Sequence, residues 1–250
     1  MSWDYFVSCL VSGSMQSLKN QLLSALSPEE YGLLAPDLQP VVLSLSEKLY
    51  WANEPAYHVY FPETAVISML SMMEDGSSTE VGLVGREGML GVRVLLGVRE
   101  TPHAAVVQVA GTALRMEAGA LDKVLHLGSP LQTLLLRYTQ ALLTQIRQSA
   151  ACNIQHSIHE RFARWLLSMR DYARSDELHL THELISLMMG TRRAGVSVAA
   201  AKLQEAGLIR YQHGSITIIE REGLEAIACE CYRIVKRETN QLYPPPAAGA

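Results

Sequence analysis

The spacing of apolar residues changes once along this chain, and that change limits what it can fold into. Between Ala56 and Met116 they come in short β-favouring runs: Tyr57-His58-Val59-Tyr60-Phe61, Ala65 to Leu70, Thr79 to Val84 and Ala104 to Val109. Turn residues such as Glu74-Asp75-Gly76-Ser77-Ser78 separate the runs, the pattern of an antiparallel sandwich or barrel. Further on, Leu127, Leu131, Leu134, Tyr138, Ala141 and Gln145 recur by fours and threes, with a second stripe at Leu135, Leu142 and Ile146. That is one long helix with two apolar faces. Strands gathered first and helices afterwards make an α+β chain.

At 250 residues the chain can bury two modest cores, and its uneven texture favours that over one large core. No apolar run approaches the ~20 residues that span a bilayer. The start, Met1-Ser2-Trp3-Asp4-Tyr5-Phe6, lacks a basic n-region and reads as no signal peptide, so a cytoplasmic location is expected. Cys9, Cys152, Cys229 and Cys231 form no C-x-x-C pair; reduced, structural cysteines and no metal site are expected. A net charge of -4 argues against indiscriminate coating of nucleic acid and leaves room for a focused basic face.

Between Leu18 and Tyr50, helical spacing alternates with breakers, predicting short helices; Ser27-Pro28-Glu29-Glu30 is a good helix start. After Asn153 the helical pattern restarts at Ser157-Ile158-His159-Glu160, a capping box ahead of Phe162, Trp165, Leu166 and Met169. The stretch Arg170 to Glu177 ends it. The terminal Pro244-Pro245-Pro246-Ala247-Ala248-Gly249-Ala250 has nothing to bury and reads as disordered.

From Leu178 to Ile219 the order is strand, helix, turn, helix, hairpin. Thr181 can cap a helix carrying Leu184, Ile185, Met188 and Met189 inward. Gly190 suits a tight turn, and a second helix from about Arg192 to Ala206 places Val196, Ala199, Ala200 and Leu203 at core spacing. Two alternating strands around His213-Gly214 complete a wing. A helix that enters the DNA major groove carries polar donors in its first turns and apolar residues on its far side. Arg192 and Arg193 occupy that first turn, where a guanidinium can hold a phosphate or fork onto guanine, and Ser197 follows one turn on. Thr181, Thr191, Lys202, Arg210 and His213 are expected at phosphates on the rim.

These residues, from Leu180-Thr181 through Met189-Gly190-Thr191-Arg192-Arg193 and Ala206-Gly207-Leu208-Ile209 to His213-Gly214-Ser215-Ile216-Thr217-Ile218, resemble the winged helix-turn-helix of the Crp/Fnr superfamily of bacterial transcription regulators. Upstream, Val84-Gly85-Arg86-Glu87-Gly88-Met89-Leu90-Gly91 followed by Ala105 to Val109 is similar to the family's β-roll. The resemblance implies N-terminal helices and a jelly-roll-like sensor domain over residues 1–128, a dimerisation helix over 129–153 and a winged helix-turn-helix over 154–236, which leaves 237–250 as the disordered tail. It also implies a homodimer on a near-palindromic promoter site, and recruitment or obstruction of RNA polymerase. The paired helices would meet through Leu131, Leu134, Leu135, Tyr138, Leu142 and Gln145, although the same stripes could pack on the chain's own β domain. An inter-domain hinge is expected around Ala151-Cys152-Asn153-Ile154.

An effector pocket would involve Gly88, Met89, Leu90, Gly91, His103 and Ala104. Cyclic-nucleotide binders of the family use a Gly-Glu pair for ribose and an Arg-Ser pair for the cyclic phosphate. Here Met89 stands at the glutamate and His103-Ala104 near the Arg-Ser pair, so cyclic AMP is not expected as a tight ligand. Cys9 alone does not make the N-terminal cysteine cluster of the family's iron-sulfur branch. Ala194 replaces the glutamate that often adjoins the base-reading arginine, here Arg193, which puts the family's usual operator in doubt. The alternative is a haem or redox sensor on the same scaffold, with ligands from His58, His103, His126, Cys9 or Cys152. No enzyme is expected: Asp37, Glu63, Glu80, Glu87 and Asp122 show no paired acid-base spacing, and Ser68 and Ser71 lie in no nucleophile elbow. No cofactor is expected.

Overall fold

A computed structural model describes residues 19–125 and 128–243. Cys9, His126, Leu127 and the tail from Pro244 lie outside the described residues, with the expectations attached to them.

After a single helical turn, α1 (Gln21–Ser24), comes α2 (Pro28–Leu34). Its start is the expected one: the Ser27 hydroxyl accepts from the Glu30 N–H, and the Glu30 carboxylate accepts from the Ser27 N–H. The short helices expected up to Tyr50 stop at a 3-10 turn, Ala35–Asp37, and two strands follow instead, β1 (Gln39–Leu43) and β2 (Lys48–Tyr50). The reason is the β-branched pair Val41-Val42, with Pro40 tolerated because β1 is an edge strand.

Strands β3 (His58–Pro62), β4 (Val66–Met72), β5 (Ser78–Val84), β6 (His103–Val109) and β7 (Gly111–Glu117) then build two antiparallel sheets, ordered β1-β7-β3 and β2-β6-β4-β5. Leu43, Tyr60 and Ala113 from one sheet pack against Ile67, Val84, Ala105 and Val107 from the other, which makes the unit a β-roll.

A short helix, α3 (Ala118–Val124), leads to α4 (Pro130–Gln155), capped by Ser129 with Pro at its first position. Leu131, Leu135, Tyr138 and Leu142 are buried against Leu22, Leu34, Val59, Phe61 and Met89 of the β unit. The fit is tight at Gly88, where an added Cβ would sit 2.0 Å from the Tyr138 ring. The break expected at Ala151–Ile154 is absent. The helix runs through those residues to Gln155 and turns at His156, because Ser157 and Glu160 cap the next helix, α5 (Ile158–Ala173).

The last unit comprises α5, β8 (Glu177–His179), α6 (His182–Met188), α7 (Arg193–Glu205), β9 (Ile209–Gln212), β10 (Ser215–Ile218), α8 (Arg221–Ile227) and α9 (Cys231–Leu242). Its core of Phe162, Trp165, Leu166, Met169, Ile185, Val196, Leu203 and Ile216 is continuous with Val66, Leu70 and Leu83 of the β-roll. The expected tail from 237 is helical as far as Leu242, and the Tyr243 hydroxyl donates to the Glu87 carbonyl. None of the described helices is long and apolar enough to cross a membrane.

Candidate nucleic-acid interface

The helix-turn-helix is set by local chemistry. The Thr181 hydroxyl accepts from the Leu184 N–H at 3.2 Å and caps α6. Gly190 turns the chain with φ 56°, lying against Thr79 of β5. Arg161 of α5 closes the turn by donating to the Met189 carbonyl at 2.6 Å. Arg192 takes the N-cap position of α7 without capping it by its side chain, and Arg193 begins the helix; both are exposed. The inward face of α7 is Val196, Ala199, Ala200 and Leu203, as the spacing predicts.

The outward face is less polar than expected. At 100° per residue, the direction opposite the buried stripe is occupied by Ala194, Val198 and Ala201 and, in the last turn, by Glu205, with Arg193 and Gln204 on one flank and Lys202 on the other. Val198 is 57% exposed and is the largest apolar side chain of α7 facing solvent. Sequence reasoning missed it because a valine two residues from buried Val196 looks like core. Ser197, expected at a base or backbone oxygen, is half-buried and engaged: its hydroxyl donates to the Arg193 carbonyl at 3.1 Å and lies 3.2 Å from His182 Nδ1. The His182 ring packs on Tyr211 of β9, centroids 4.4 Å apart. Burial, and then the Arg193 guanidinium, hold the His182 pKa below the ordinary histidine value.

In the wing, His213 (φ 51°) and Gly214 (φ 77°) form the two-residue turn between β9 and β10. Arg210 and His213 are exposed there, Thr181 is exposed at the start of α6, and Thr191 is half-buried in the turn before α7. The structure therefore brings Thr181, Thr191, Arg192, Arg193, Arg210 and His213 onto one unit. Lys202 lies half a helical turn around α7 from Arg193.

The other expected sites fare differently. Met89 and Leu90 are buried in the β-roll core, Gly88 and Gly91 are closed in by Tyr138 and by Tyr50 with Val59, and His103 is exposed at the end of β6. A cavity of about 450 Å³ lies elsewhere, between the β-roll and the last unit, lined in part by Arg86, Glu87, Arg170, Asp171, Arg221 and Lys236. The stripe assigned to dimerisation is corrected: Leu131, Leu135, Tyr138, Leu142 and Gln145 are buried within their own protomer, with Leu134 partly so. The apolar residues that α4 leaves open are Leu136, Leu143 and Ile154. His58 and His103 lie on different sheets. Cys152, read as one of four scattered cysteines, lies instead beside Cys229, Cys231 and His156.

The comparisons with known proteins agree with this architecture. A family model of the Crp-like helix-turn-helix domain matches residues 160–227. A CRP-like cAMP-activated global transcriptional regulator of Mycobacterium tuberculosis is 23% identical over 212 residues, covering 81% of this chain and 94% of that protein. FixK2 from Bradyrhizobium japonicum has a similar fold with a TM-score of 0.65 at 19% identity, covering 77% of this chain and 98% of its own. TTHB099, a CRP-family transcriptional regulator from Thermus thermophilus, gives 0.61 at 20% identity, covering 75% and 96%. Residues 160–227 are thus a Crp-like helix-turn-helix domain, and it follows a β-roll and a long connecting helix whose fold is that of Crp/Fnr transcription regulators.

Proposed function

We propose that the protein acts as a homodimer on a near-palindromic promoter site, reading each half-site with α7, and that cyclic AMP does not control it. The observation that carries this reading is the outward face of α7, where Arg192 and Arg193 stand at the first turn and Ala194, Val198 and Ala201 form an apolar centre. The arginines suit phosphate or guanine, and the methyl groups suit the C5-methyl of thymine. Thr181, Thr191, Arg210 and His213 serve as rim contacts to phosphate. Ser197 bonds back to the Arg193 carbonyl and meets His182 Nδ1, which ties the start of α7 to α6.

The dimer is held through α4, whose unfilled apolar positions are Leu136, Leu143 and Ile154. Leu136 and Leu143 are one heptad apart, the spacing of a two-stranded seam. Two α7 helices held on a two-fold axis then meet successive major grooves about one helical turn apart. RNA polymerase is the partner at the promoter. Against cyclic AMP stand the buried Met89 and the His103-Ala104 pair, which offer the cyclic phosphate no guanidinium.

Selection of bound fragments from random duplex DNA, with the wild type and with Arg192→Ala/Arg193→Ala, tests the reading. A two-fold symmetric site that is enriched by the wild type without added nucleotide, and absent with the double variant, is the expected result. Enrichment that depends on cyclic AMP, or that survives the double substitution, overturns it.

A further inference from the structure

The end of α4 and the start of α9 meet in a group of four side chains that DNA binding does not use. Cys152, on the last turn of α4, and His156, its C-cap, are four residues apart and so lie on one side of the helix. Cys229 and Cys231 approach from the other side, one just before α9 and one at its first position. Cys152 Sγ and Cys229 Sγ are 3.5 Å apart, Cys231 Sγ and His156 Nδ1 are 3.5 Å apart, and all four potential ligand atoms lie within 4.8 Å of one another. The three cysteines are free and buried.

We propose that Cys152, His156, Cys229 and Cys231 form a Cys₃His site for one tetrahedral, thiophilic divalent ion of the zinc class, joining the long helix to the C-terminal helix of the DNA-binding unit.

Three observations support it. The first is size: with metal–sulfur bonds of about 2.3 Å, the sulfurs of a tetrahedral zinc site are about 3.8 Å apart, so the four atoms have less than about 1 Å to move. A two-iron cluster would need its ligands in two separated pairs, and these four make one compact group. The second is the histidine. Nδ1 faces the thiols while Nε2 lies 3.1 Å from the Glu230 carboxylate, an arrangement in which Nε2–H donates to Glu230 and the Nδ1 lone pair is directed at the ion. Third, the Gln148 amide donates to Cys231 Sγ at 3.1 Å, the kind of outer contact that steadies a thiolate ligand. Arg161 and Arg164 of the neighbouring α5 carry positive charge close to the cysteines, offsetting the single excess negative charge of a three-thiolate zinc site. On binding, each thiol forms a sulfur–metal bond and gives its proton to water, with no change of oxidation state.

The site is tested on the full-length protein, purified under reducing conditions, stripped with chelator and titrated with Co²⁺. One Co²⁺ per chain, with sulfur-to-metal charge-transfer absorption and the intense visible bands of a tetrahedral complex, is expected; Zn²⁺ should displace it. Cys229→Ser/Cys231→Ser should abolish the charge-transfer bands, and Cys9→Ser should leave them intact. Glu230→Gln should keep the tetrahedral spectrum while weakening the ion roughly 10–100-fold, the usual effect of losing a histidine's carboxylate partner. A weak octahedral cobalt spectrum in the wild type, or a tetrahedral one that survives the double cysteine substitution, overturns the proposal. The wild-type spectrum decides even if the cysteine variants do not fold.

Discussion

Gln145 of the long helix donates to the Tyr172 hydroxyl at 2.9 Å, and the same side chain exchanges hydrogen bonds with both backbone groups of Leu83, accepting from its N–H at 2.7 Å and donating to its carbonyl at 3.2 Å. Three units meet in one buried amide: β5 of the β-roll, α4, and α5 of the DNA-binding unit. Glutamine suits the task because it donates and accepts at one tip, closing on a strand residue as a neighbouring strand would. Alanine here strands the N–H and C=O of Leu83, so Gln145→Ala should cost about 2–4 kcal/mol by urea unfolding. Tyr172→Phe removes one neutral hydrogen bond and should cost about 1 kcal/mol. Equal losses from the two substitutions would contradict this apportioning.

Two carboxylates at the same junction make stability depend on pH. Glu80 of β5 accepts from the Trp165 indole N–H at 2.8 Å and from the Ser68 hydroxyl; Glu87 accepts from the Gly85 N–H at 3.0 Å, and its other oxygen has no partner among the described residues. Burial raises both pKa values to about 7, with the hydrogen bonds opposing it. The folded state thus holds protons that the unfolded chain releases from its ordinary carboxylates, so stability falls as pH rises from about 4.5 towards 7 and levels off above that. Glu80→Gln keeps the Ser68 and Trp165 contacts available to an amide and should remove about half of the difference in urea midpoint between pH 5 and pH 8. An unchanged difference would mean that Glu80 ionises normally.

At the interface, charge and shape are separable by salt. Arg192→Ala and Arg193→Ala should each flatten the salt dependence of DNA binding, by roughly 0.9 in log–log slope for every phosphate that the arginine no longer neutralises. Val198→Ala should leave that slope alone and reduce discrimination at one position of each half-site by about 1 kcal/mol, the worth of packing the valine methyls on a thymine methyl. Competition between matched and single-mismatch duplexes at two salt concentrations measures both. A Val198→Ala variant with altered salt slope and unchanged preference would put the valine outside the groove.

The winged unit was legible because each of its elements carries its own local signal: the Thr181 cap, Gly190 at positive φ, the small inward residues of α7 and the His213-Gly214 turn. Where a partner is distant, periodicity could not identify it. An apolar stripe on α4 announces burial without saying what covers it, and the β-roll takes Leu131, Leu135 and Tyr138, leaving Leu136 and Leu143. The thiol group was hidden for the same reason, Cys152 and Cys229 being 77 residues apart, each alone looking like an ordinary buried cysteine. Val198 escaped because the apolar residues of α7 were expected on the side away from DNA, and a single valine exposed among alanines carries no periodic signal.

The division of α4 into a filled and an open stripe gives opposite outcomes for neighbouring leucines. Glutamate at Leu135, which is fully buried against the β-roll, puts a charge into the core and should unfold the protomer. Leu136 and Leu143 are 47% and 40% exposed within the protomer, enough for a glutamate to reach solvent, so Leu136→Glu/Leu143→Glu should retain the wild-type helical circular dichroism and sediment as a monomer, because like charges would face each other across the two-fold seam. With the half-sites no longer linked, affinity for the palindromic duplex should fall by roughly 10²-fold or more, while a single half-site is bound as before. Sedimentation of the double variant as a stable dimer would move the interface off this helix and leave Leu136, Leu143 and Ile154 to some other surface.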